Sequence, residues 1–539
     1  MTRSPDTTAP RPEGDFGLIT DLVRAHAAQR PQALALRDDR RTMTYAELDM
    51  LMDQVAGSLQ RSGAAPGDAI AICATSSVRY AAVFLGALRA GLAVAPLAPN
   101  TTPASLARML QDSAARVLFV DASTAAQTAA GQGLPDGFER IALDPVEGAG
   151  DGPRVFEDWL QADALPAPVE LRPDSPFNIL YSSGTTGEPK GIVQPHGMRW
   201  AHVRRVARFE YGPDTVSLLS TPLYSNTTLV TFFPTLAYGG CAVLMAKSDA
   251  TRFLQLSQDL RATHAMLVPT QYQRLMAHPE FDSYDLCSYR YKFSTSAPFS
   301  AALKADVLRR WPGGLVEQYG MTEGGVSCML EAHLHPDKLH TVGRPIAGCD
   351  VRLIDEDGRE VAAGMAGEIV GRSAGMMSGY LNLPEKTREA EWFSSAGERF
   401  IRTGDIGRFD ADGFLSLIDR RKDMIISGGY NIYPSDLEAV LAQHPAVAEA
   451  AVVGVASEAW GETPVAFVVL REGGSHPDEA ELLAWANARL GKTQRIAALR
   501  CVERLPRSEI GKVLKRELRA GFVARDSAIS PLREASGES

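Results

Sequence analysis

Short apolar runs alternate with amphipathic segments along the chain. Residues 69–72 and 117–120 are continuous runs of small and branched apolar side chains, which are typical of buried strands. Residues 80–90 form an apolar stretch of helical length. A strand at 265–268 followed by a helix at 302–310 repeats this order. Strands that alternate with helices predict an α/β fold with at least two layered units.

One segment without charge, residues 215–246, stands out from this pattern. Its length raises the question of a membrane span. Pro222, Pro234, Gly239 and Gly240 interrupt it, so we interpret it as a buried active-site segment. No membrane span is predicted.

Composition indicates a globular protein with more than one domain. The 539 residues exceed what a single core accommodates. A formal net charge of −10, with no sustained basic stripe, argues against a nucleic-acid partner. The six cysteines are far apart and form no C-x-x-C pair, which is typical of reduced thiols. Because the N-terminal residues also lack an apolar signal segment, we expect a cytoplasmic protein.

Residues 181–191, with the sequence YSSGTTGEPKG, combine glycines, hydroxyls and a lysine. Glycines let the backbone bend tightly around a ligand, hydroxyls donate hydrogen bonds, and the lysine adds positive charge. This chemistry suits a polyphosphate. The common nucleotide P-loop is excluded because G-x-x-x-x-G-K-[ST] is absent and residues 191–194 indicate a strand instead of a helix.

Two further motifs supply groups that a nucleotide site needs. Residues 318–324 have the sequence QYGMTEG. The ring of Tyr319 can stack on a base, Thr322 can donate to a phosphate, and Glu323 offers the hard oxygen that Mg²⁺ prefers. Asp405, at the predicted end of a strand, can accept hydrogen bonds from ribose hydroxyls.

In this order the motifs resemble those of the adenylate-forming superfamily, which includes acyl-CoA synthetases, aryl-CoA ligases, peptide-synthetase adenylation domains and luciferases. The resemblance covers almost the whole chain. It implies an AMP-forming carboxylic acid–CoA ligase that uses ATP, Mg²⁺ and CoA. The nucleotide site that it implies consists of Ser182, Ser183, Gly184, Thr185, Thr186, Gly187, Lys190, Tyr319, Thr322, Asp405 and Arg420.

The resemblance also implies catalytic roles. Thr186 and Glu323 are expected to hold Mg²⁺. Lys512 is expected to bridge the carboxylate and the α-phosphate, where its compact ammonium group neutralises charge. Since acetylation would remove that charge from an accessible loop, a lysine acetyltransferase that acts on Lys512 is an expected partner.

Relatives in this superfamily rotate a small domain about a hinge, which the resemblance places at Lys422. The expected organisation is a disordered tail at 1–17, a large AMP-binding domain of layered α/β subdomains at 18–421, a small mobile α+β domain at 422–525 and a polar tail at 526–539.

The CoA side of the site is expected in the small domain. Gly428 and Gly429 resemble the loop that walls the pantetheine tunnel, and Trp460 resembles a tryptophan that packs on the CoA nucleotide. A core tryptophan that anchors a turn is an equal alternative for Trp460.

The acyl pocket is expected around Tyr224, Ser225, Thr227, Thr295 and Gln318. Ser225 stands where many relatives have a histidine, so gating by an imidazole is not implied. Thr295 and Gln318 stand at positions that are usually or often glycine, and they add volume and polarity. We therefore expect a compact acid, which can be aromatic, alicyclic or short acyl, with hydroxycinnamate included.

Two other functions compete with this interpretation. The first is a stand-alone adenylation enzyme that loads a carrier protein, which Trp460 and the lack of an attached carrier domain disfavour. The second is a serine hydrolase, because residues 371–375 match G-x-S-x-G with Ser373 as the nucleophile. Gly375 and Gly379 make the required following helix poor.

Two clusters of nitrogen-bearing side chains lie outside these motifs. Three histidines within eight residues suggest zinc but lack regularly spaced partners, and these are His333, His335 and His340. Four arginines in one predicted helix indicate a solvated face, with a phosphorylated ligand as the alternative, and these are Arg199, Arg204, Arg205 and Arg208.

Overall fold

The apolar runs form strands and the amphipathic segments form helices, in the alternating order that the sequence predicts. In this computed structural model, the described residues are 9–126, 128–129, 134, 138–145, 152–183, 189–420, 423–427, 430–457, 460–471, 477–491, 494–507 and 513–529.

The strands in chain order are β1 (Leu34–Arg37), β2 (Thr42–Thr44), β3 (Ala69–Cys73), β4 (Ala93–Leu97), β5 (Val117–Val120), β6 (Glu139–Ala142), β7 (Arg154–Val155), β8 (Pro176–Ser183), β9 (Pro189–Pro195), β10 (Val216–Leu219), β11 (Cys241–Leu244), β12 (His264–Leu267), β13 (Tyr291–Ser294), β14 (Gly314–Gly320), β15 (Ser327–Glu331), β16 (Arg344–Pro345), β17 (Asp350–Ile354), β18 (Gly367–Arg372), β19 (Gly379–Tyr380), β20 (Glu391–Phe393), β21 (Arg399–Phe409), β22 (Leu415–Arg420), β23 (Ile425–Ser427), β24 (Tyr430–Ile432), β25 (Val447–Ser457), β26 (Gly461–Leu470) and β27 (Ala498–Cys501).

The helices are α1 (Ile19–Gln29), α2 (Tyr45–Arg61), α3 (Val78–Arg89), α4 (Pro103–Ser113), α5 (Phe156–Trp159), α6 (His196–Arg205), α7 (Asn226–Ala237), α8 (Ala250–Asp259), α9 (Pro269–Met276), α10 (Ala301–Arg310), α11 (Pro384–Glu389), α12 (Pro434–Leu441), α13 (Glu479–Asn487) and α14 (Lys515–Ile529).

Contacts within the chain divide it into two units. The larger unit comprises Met1–Val351 and Val370–Arg402, and the smaller comprises Arg352–Ile369 and Thr403–Ser539. Lys422 lies outside the described residues, so the hinge and the domain boundary beside it stay predictions.

The first sheet of the larger unit has the strand order β19-β9-β8-β4-β3-β5-β6-β7. The strands from β8 to β7 run parallel, and β9 and β19 add an antiparallel edge. Strand β3 is buried along its whole length. A strand that is covered on both faces carries apolar residues at successive positions, which explains the continuous run AIAIC.

The second sheet of the larger unit has the order β16-β15-β14-β13-β12-β10-β11-β1-β2 and is parallel from β14 to β1. The uncharged segment supplies β10, α7 and β11, and α7 is buried against this layer. In the part of the chain that the structure describes, no helix has the length and apolar character needed to cross a membrane.

One apolar core serves both sheets of the larger unit. It includes Val55 from α2, Phe84 from α3, Phe177 from β8 and Phe233 from α7. The rings of Phe84, Phe177 and Phe233 contact one another with centroids 5.0 to 6.2 Å apart. This packing fixes β8, which leads into the predicted phosphate loop.

The smaller unit contains a sheet in the order β24-β23-β26-β25, with β27 beside β26. Neighbouring residues of β25 point to opposite faces of this sheet. Val452 packs in a cluster with Leu437 of α12 and Leu482 of α13, whereas Val453 packs in a cluster with Leu518 of α14. The α+β character predicted for the C-terminal part is confirmed.

One local prediction was wrong. Asp405 lies within β21, which continues to Phe409, because Gly404 adopts a φ of 70° and a bulge at Ile406 lets the strand continue.

Candidate nucleotide and acyl site

The predicted phosphate loop connects β8 to β9. The two strands pair antiparallel, with Ser182 opposite Lys190 and Ser183 opposite Pro189. The strand pairing therefore holds both ends of the loop close together, at the same end of β8 and β9. Outside the described part of the chain lie the side chain of Ser183 and residues Gly184, Thr185, Thr186 and Gly187.

Glu323 contacts Tyr380, whose ring also lies beside Lys190 of the same unit. The Tyr380 hydroxyl donates to Glu323 Oε1 over 2.8 Å, and Lys190 Nζ lies 5.4 Å from the centroid of the Tyr380 ring. Burial raises the pKa of Tyr380, and the charge of Glu323 raises it further. The phenol therefore stays protonated at neutral pH and acts as a donor to the carboxylate.

The donor set around Glu323 suits a hard divalent cation. A carboxylate has two oxygens, so it can accept from a phenol through one and bind a cation through the other. The backbone of this residue is also held, because the Met377 N–H donates to the Glu323 carbonyl over 2.8 Å.

Thr322 is held from a neighbouring strand. Gln194 Nε2 on β9 donates to the Thr322 carbonyl over 2.6 Å. Tyr319, the predicted adenine-stacking residue, lies on β14 opposite Cys328 and is half-buried. Its stacking role stays a prediction.

The first side of the predicted acyl pocket is the start of α7. Ser225 caps this helix, because its hydroxyl accepts from the Thr227 N–H over 3.3 Å. A serine at this position therefore has a local structural role. Tyr224, which precedes it, is half-buried.

The second side is formed by the ends of β13 and β14. Ser294 pairs with Glu317, so Thr295 and Gln318 follow at neighbouring positions on the two strands. Gln318 is only 8% exposed, and Thr295 is half-buried. The two residues therefore lie at neighbouring backbone positions, and their role as a pocket floor stays a prediction.

Ser296 connects these two sides. Its hydroxyl lies 2.5 Å from Thr227 Oγ1, and its backbone has a φ of 81°. A left-handed φ is unfavourable for a residue with a Cβ and costs about 1 to 3 kcal/mol. Glycine would adopt this backbone conformation without strain. The serine at this position instead supplies a hydroxyl that forms a hydrogen bond with Thr227 across the predicted pocket.

In the smaller unit, Asp405 and Arg420 lie directly opposite each other on β21 and β22. Asp405 is the residue predicted to contact ribose, and Arg420 belongs to the nucleotide site that the resemblance implies. The side chain of Arg420 lies outside the described part, as do Lys422, Gly428, Gly429 and Lys512. Their assignments stay predictions.

Trp460 is 60% exposed. It is therefore not a core residue that anchors a turn, and that alternative was wrong. An exposed indole is available to a flat ligand. Contact with CoA remains a prediction for this residue.

The described residues after Ser373 do not form the helix that a serine hydrolase requires at this point. A nucleophile elbow needs a helix directly after the serine. Here β18 ends at Arg372, and the next regular element is the two-residue strand β19. The Ser373 hydroxyl accepts from the Gly375 N–H over 3.2 Å and so closes a turn.

The solvated face predicted for the arginine-rich helix was wrong for Arg199, and Arg205 is only partly exposed. Arg199 on α6 is 1% exposed, whereas the side chain of Arg204 is 46% exposed. The helix turns one arginine into the core because polar partners on β8 and β9 accept its hydrogen bonds.

Sequence reasoning missed three residues that the structure brings to this region, Tyr380, Ser296 and Gln194. For Tyr380 and Ser296 a signal existed, since both lie in segments that resemble the superfamily. Gln194 gave no signal, because a single amide in a strand has no distinctive pattern.

Comparison with known proteins places these features in context. Residues 23–381 match the model of the AMP-binding enzyme family, and residues 436–512 match the model of the AMP-binding enzyme C-terminal domain. A feruloyl-CoA synthase from an Amycolatopsis species is 35% identical over 508 residues, which cover 92% of this chain and 97% of that protein.

Two further matches are similarly extensive. The fatty acid–[acyl-carrier-protein] ligase ScoC from Streptomyces coeruleorubidus is 30% identical, over 94% of this chain and 96% of its own. The crystal structure of ATP-bound MatB from Rhodopseudomonas palustris has a TM-score of 0.83 at 30% identity, and the match covers 93% of this chain and 99% of that one.

Proposed function

Because the chain belongs to the AMP-binding enzyme family and is an AMP-forming acyl-CoA synthetase, we propose that its acid is a single-ring aromatic acid, with hydroxycinnamates as first candidates. The enzyme uses ATP, Mg²⁺ and CoA. The carboxylate attacks the α-phosphorus of ATP and expels pyrophosphate. The CoA thiol then attacks the acyl carbonyl and AMP leaves.

Within this proposal, side chains neutralise charge and hold the substrates. Glu323 and Thr186 hold Mg²⁺, which supplies positive charge beside the phosphate oxygens when it is bound. Lys190 and Lys512 offset the negative charge on ATP and the acid as they meet. Tyr380 orients the Glu323 carboxylate through the hydrogen bond described above.

The observation that carries the choice of acid is the polar lining of the predicted pocket. Thr227 and Ser296 form a hydroxyl pair, and Gln318 is a buried amide near the end of β14. A ring that bears a hydroxyl or methoxyl group can form hydrogen bonds with such groups, whereas an alkyl chain can form none. The similarity to a feruloyl-CoA synthase supports the same class.

A panel of acids tests the proposal directly. Ferulate, 4-coumarate, cinnamate, benzoate, a short acyl acid and a long fatty acid are each mixed with enzyme, ATP, Mg²⁺ and CoA. Pyrophosphate release and loss of free CoA thiol are both measured. We expect the highest kcat/KM with the ring-hydroxylated cinnamates, and a maximum on the fatty acid would contradict the choice.

The hydroxyl pair offers a sharper test. Ser296→Gly relieves the left-handed backbone strain but removes the hydroxyl. Thr227→Val removes its partner and keeps the shape. We expect each variant to reduce the preference for ferulate over cinnamate by about five- to tenfold, as for one lost hydrogen bond. An unchanged ratio in both variants would exclude the pair from recognition.

The similarity to ScoC keeps a second acceptor under consideration, namely the phosphopantetheine of a carrier protein. The same assay separates the two acceptors. With a carrier-loading enzyme, pyrophosphate appears in a single turnover and free CoA thiol is not consumed. With a CoA ligase, thiol loss matches pyrophosphate release.

We further propose acetylation of Lys512 as a regulatory modification by a lysine acetyltransferase. Arg507 and Val513 pair across the base of the loop that carries Lys512. Acetylation removes the lysine charge, whereas Lys512→Arg retains a charge and cannot be acetylated at this site. Intact mass and activity after incubation with acetyl donor test this, and full activity of acetylated enzyme would refute it.

A cytoplasmic location also stays a proposal, supported by six free cysteines.

A further inference from the structure

Arg199 on α6 is a buried guanidinium with an unusual environment. It is 1% exposed, and no carboxylate in the described residues forms an ion pair with it. Its guanidinium lies 5.8 and 5.9 Å from the ring centroids of Phe177 and Phe233. Burial, the larger effect, and the nearby charge of Arg205 together lower the pKa of Arg199 to about 9. A buried charge without a counter-charge is costly.

Two amides take the place of a counter-charge. Arg199 Nε donates to Asn178 Oδ1 over 3.0 Å, and Nη2 donates to Gln194 Oε1. Asn178 Nδ2 also donates to Gln194 Oε1, over 3.0 Å. Asn178 and Gln194 lie opposite each other on β8 and β9, four residues before Ser182 and four residues after Lys190.

The donor-only chemistry of arginine decides how both amides are oriented. A guanidinium has no acceptor, so the oxygen of each amide must face it. The nitrogen of Gln194 must then point away, and it donates to the Thr322 carbonyl over 2.6 Å. Thr322 directly precedes Glu323.

We propose that Arg199 is a positioning residue for adenylate formation: it fixes the Gln194 amide, which in turn holds the Thr322–Glu323 segment in the geometry that binds Mg²⁺ and ATP. This inference rests on the roles proposed for Thr322 and Glu323 above. Arg199 itself does not touch the nucleotide.

A double-mutant cycle tests whether Arg199 acts through Gln194. Arg199→Met, Gln194→Leu and the double variant are compared in acid-dependent exchange of pyrophosphate into ATP. We expect kcat to fall about tenfold in each single variant, the size of one lost hydrogen bond. The double variant should match Gln194→Leu within about twofold. Additive losses of about 100-fold would overturn the proposal.

Gln194→Glu distinguishes positioning from a packing role. A carboxylate keeps the shape and still accepts from Arg199 and Asn178, but it cannot donate to the Thr322 carbonyl. We expect no loss of thermal stability, because the new carboxylate gives Arg199 a counter-charge. We also expect a loss of about tenfold in kcat and a higher Mg²⁺ requirement. If exchange and Mg²⁺ dependence both stay at wild-type values, the proposal is wrong.

Arg204→Met is the matched control, because it removes an exposed arginine from the same helix. Its exchange rate should equal that of the wild type. Calorimetric titration of Mg·ATP without any acid gives a second readout: affinity should fall in Gln194→Glu and in Arg199→Met, and unchanged affinity and exchange would exclude positioning. Glu323→Gln with unchanged Mg²⁺ dependence would instead defeat the role proposed for Glu323.

Discussion

A carboxylate binds a cation well only when its orientation is fixed. In this protein the phenol of Tyr380 fixes the orientation of the Glu323 carboxylate. Tyr380 lies on β19, which pairs with β9, and its hydroxyl meets Glu323 Oε1. Lys190 lies over the same ring. Tyr380 therefore connects the predicted phosphate loop to the predicted metal ligand.

Removal of this hydroxyl should weaken metal-dependent adenylation without unfolding the protein. In Tyr380→Phe the ring stays in place, but Glu323 loses a hydrogen bond of a kind worth about 1.5 kcal/mol or more. We expect pyrophosphate exchange to fall about tenfold at limiting Mg²⁺ and to recover partly at high Mg²⁺.

Tyr284→Phe, which removes a hydroxyl from a tyrosine near His278, is the control. Its exchange should follow the wild-type Mg²⁺ curve. A Tyr380→Phe enzyme that also follows that curve would show that the phenol does not orient the metal ligand.

At the scale of elements, strand β12 carries a buried histidine whose protonation is coupled to folding. His264 Nε2 donates to the Phe209 carbonyl over 2.7 Å, and its ring lies 4.4 Å from that of Tyr211. Burial, the largest effect, lowers the pKa of His264 to about 4, although the Phe209 hydrogen bond acts in the opposite direction.

This pKa gives a defined dependence of stability on pH. Between pH 6.5 and about 4 the unfolded chain binds a proton at His264 that the folded chain does not, so stability falls as pH falls. Between pH 7 and pH 5, the titration of His264 should lower the free energy of unfolding by about 2 kcal/mol.

The comparison of wild type with His264→Gln isolates that contribution from those of other buried histidines. The free energy of unfolding of each protein is measured with urea at pH 7 and at pH 5. The amount by which the wild type exceeds the variant should be about 2 kcal/mol smaller at pH 5 than at pH 7. A difference that is the same at both pH values would mean that His264 titrates normally in the folded state.

Helices and strands could be predicted where a buried element requires a continuous run of apolar residues in the sequence. The apolar runs that became β3 and β5 are examples. Strand β21 was cut short because Gly404 and its neighbours have the composition of a turn, and only the pairing with β22 shows that the strand continues. Arg199 could not be placed from its helix alone, because its partners lie on two strands that precede α6.

At the scale of the whole molecule, the predicted nucleotide residues belong to two units. Lys190, Tyr319 and Glu323 lie in the larger unit, and Asp405 lies in the smaller one. The order of motifs along the chain predicts these residues, and their contacts with the nucleotide stay predictions. Tyr380 was missed because its role depends on a contact with Glu323 across 57 residues.

Because the resemblance assigns Lys512 and Lys422 to different steps, we expect that the two half-reactions can be separated by mutation. Lys512→Ala should lower adenylate formation by at least about 100-fold, since a charge that stabilises the transition state is lost. Thioester formation from supplied acyl-AMP should remain largely intact. Lys422→Pro should have the opposite effect, because proline fixes φ at the predicted pivot.

Pyrophosphate release and CoA thiol consumption, measured on the same preparations, report the two steps separately. Lys422→Ala serves as the control for the pivot, because it removes the same side chain without restricting the backbone. If Lys512→Ala impairs both steps equally, or if Lys422→Pro impairs adenylation as much as thioester formation, the two lysines do not divide the reaction between them. A rotation of the small domain would then lose its main support.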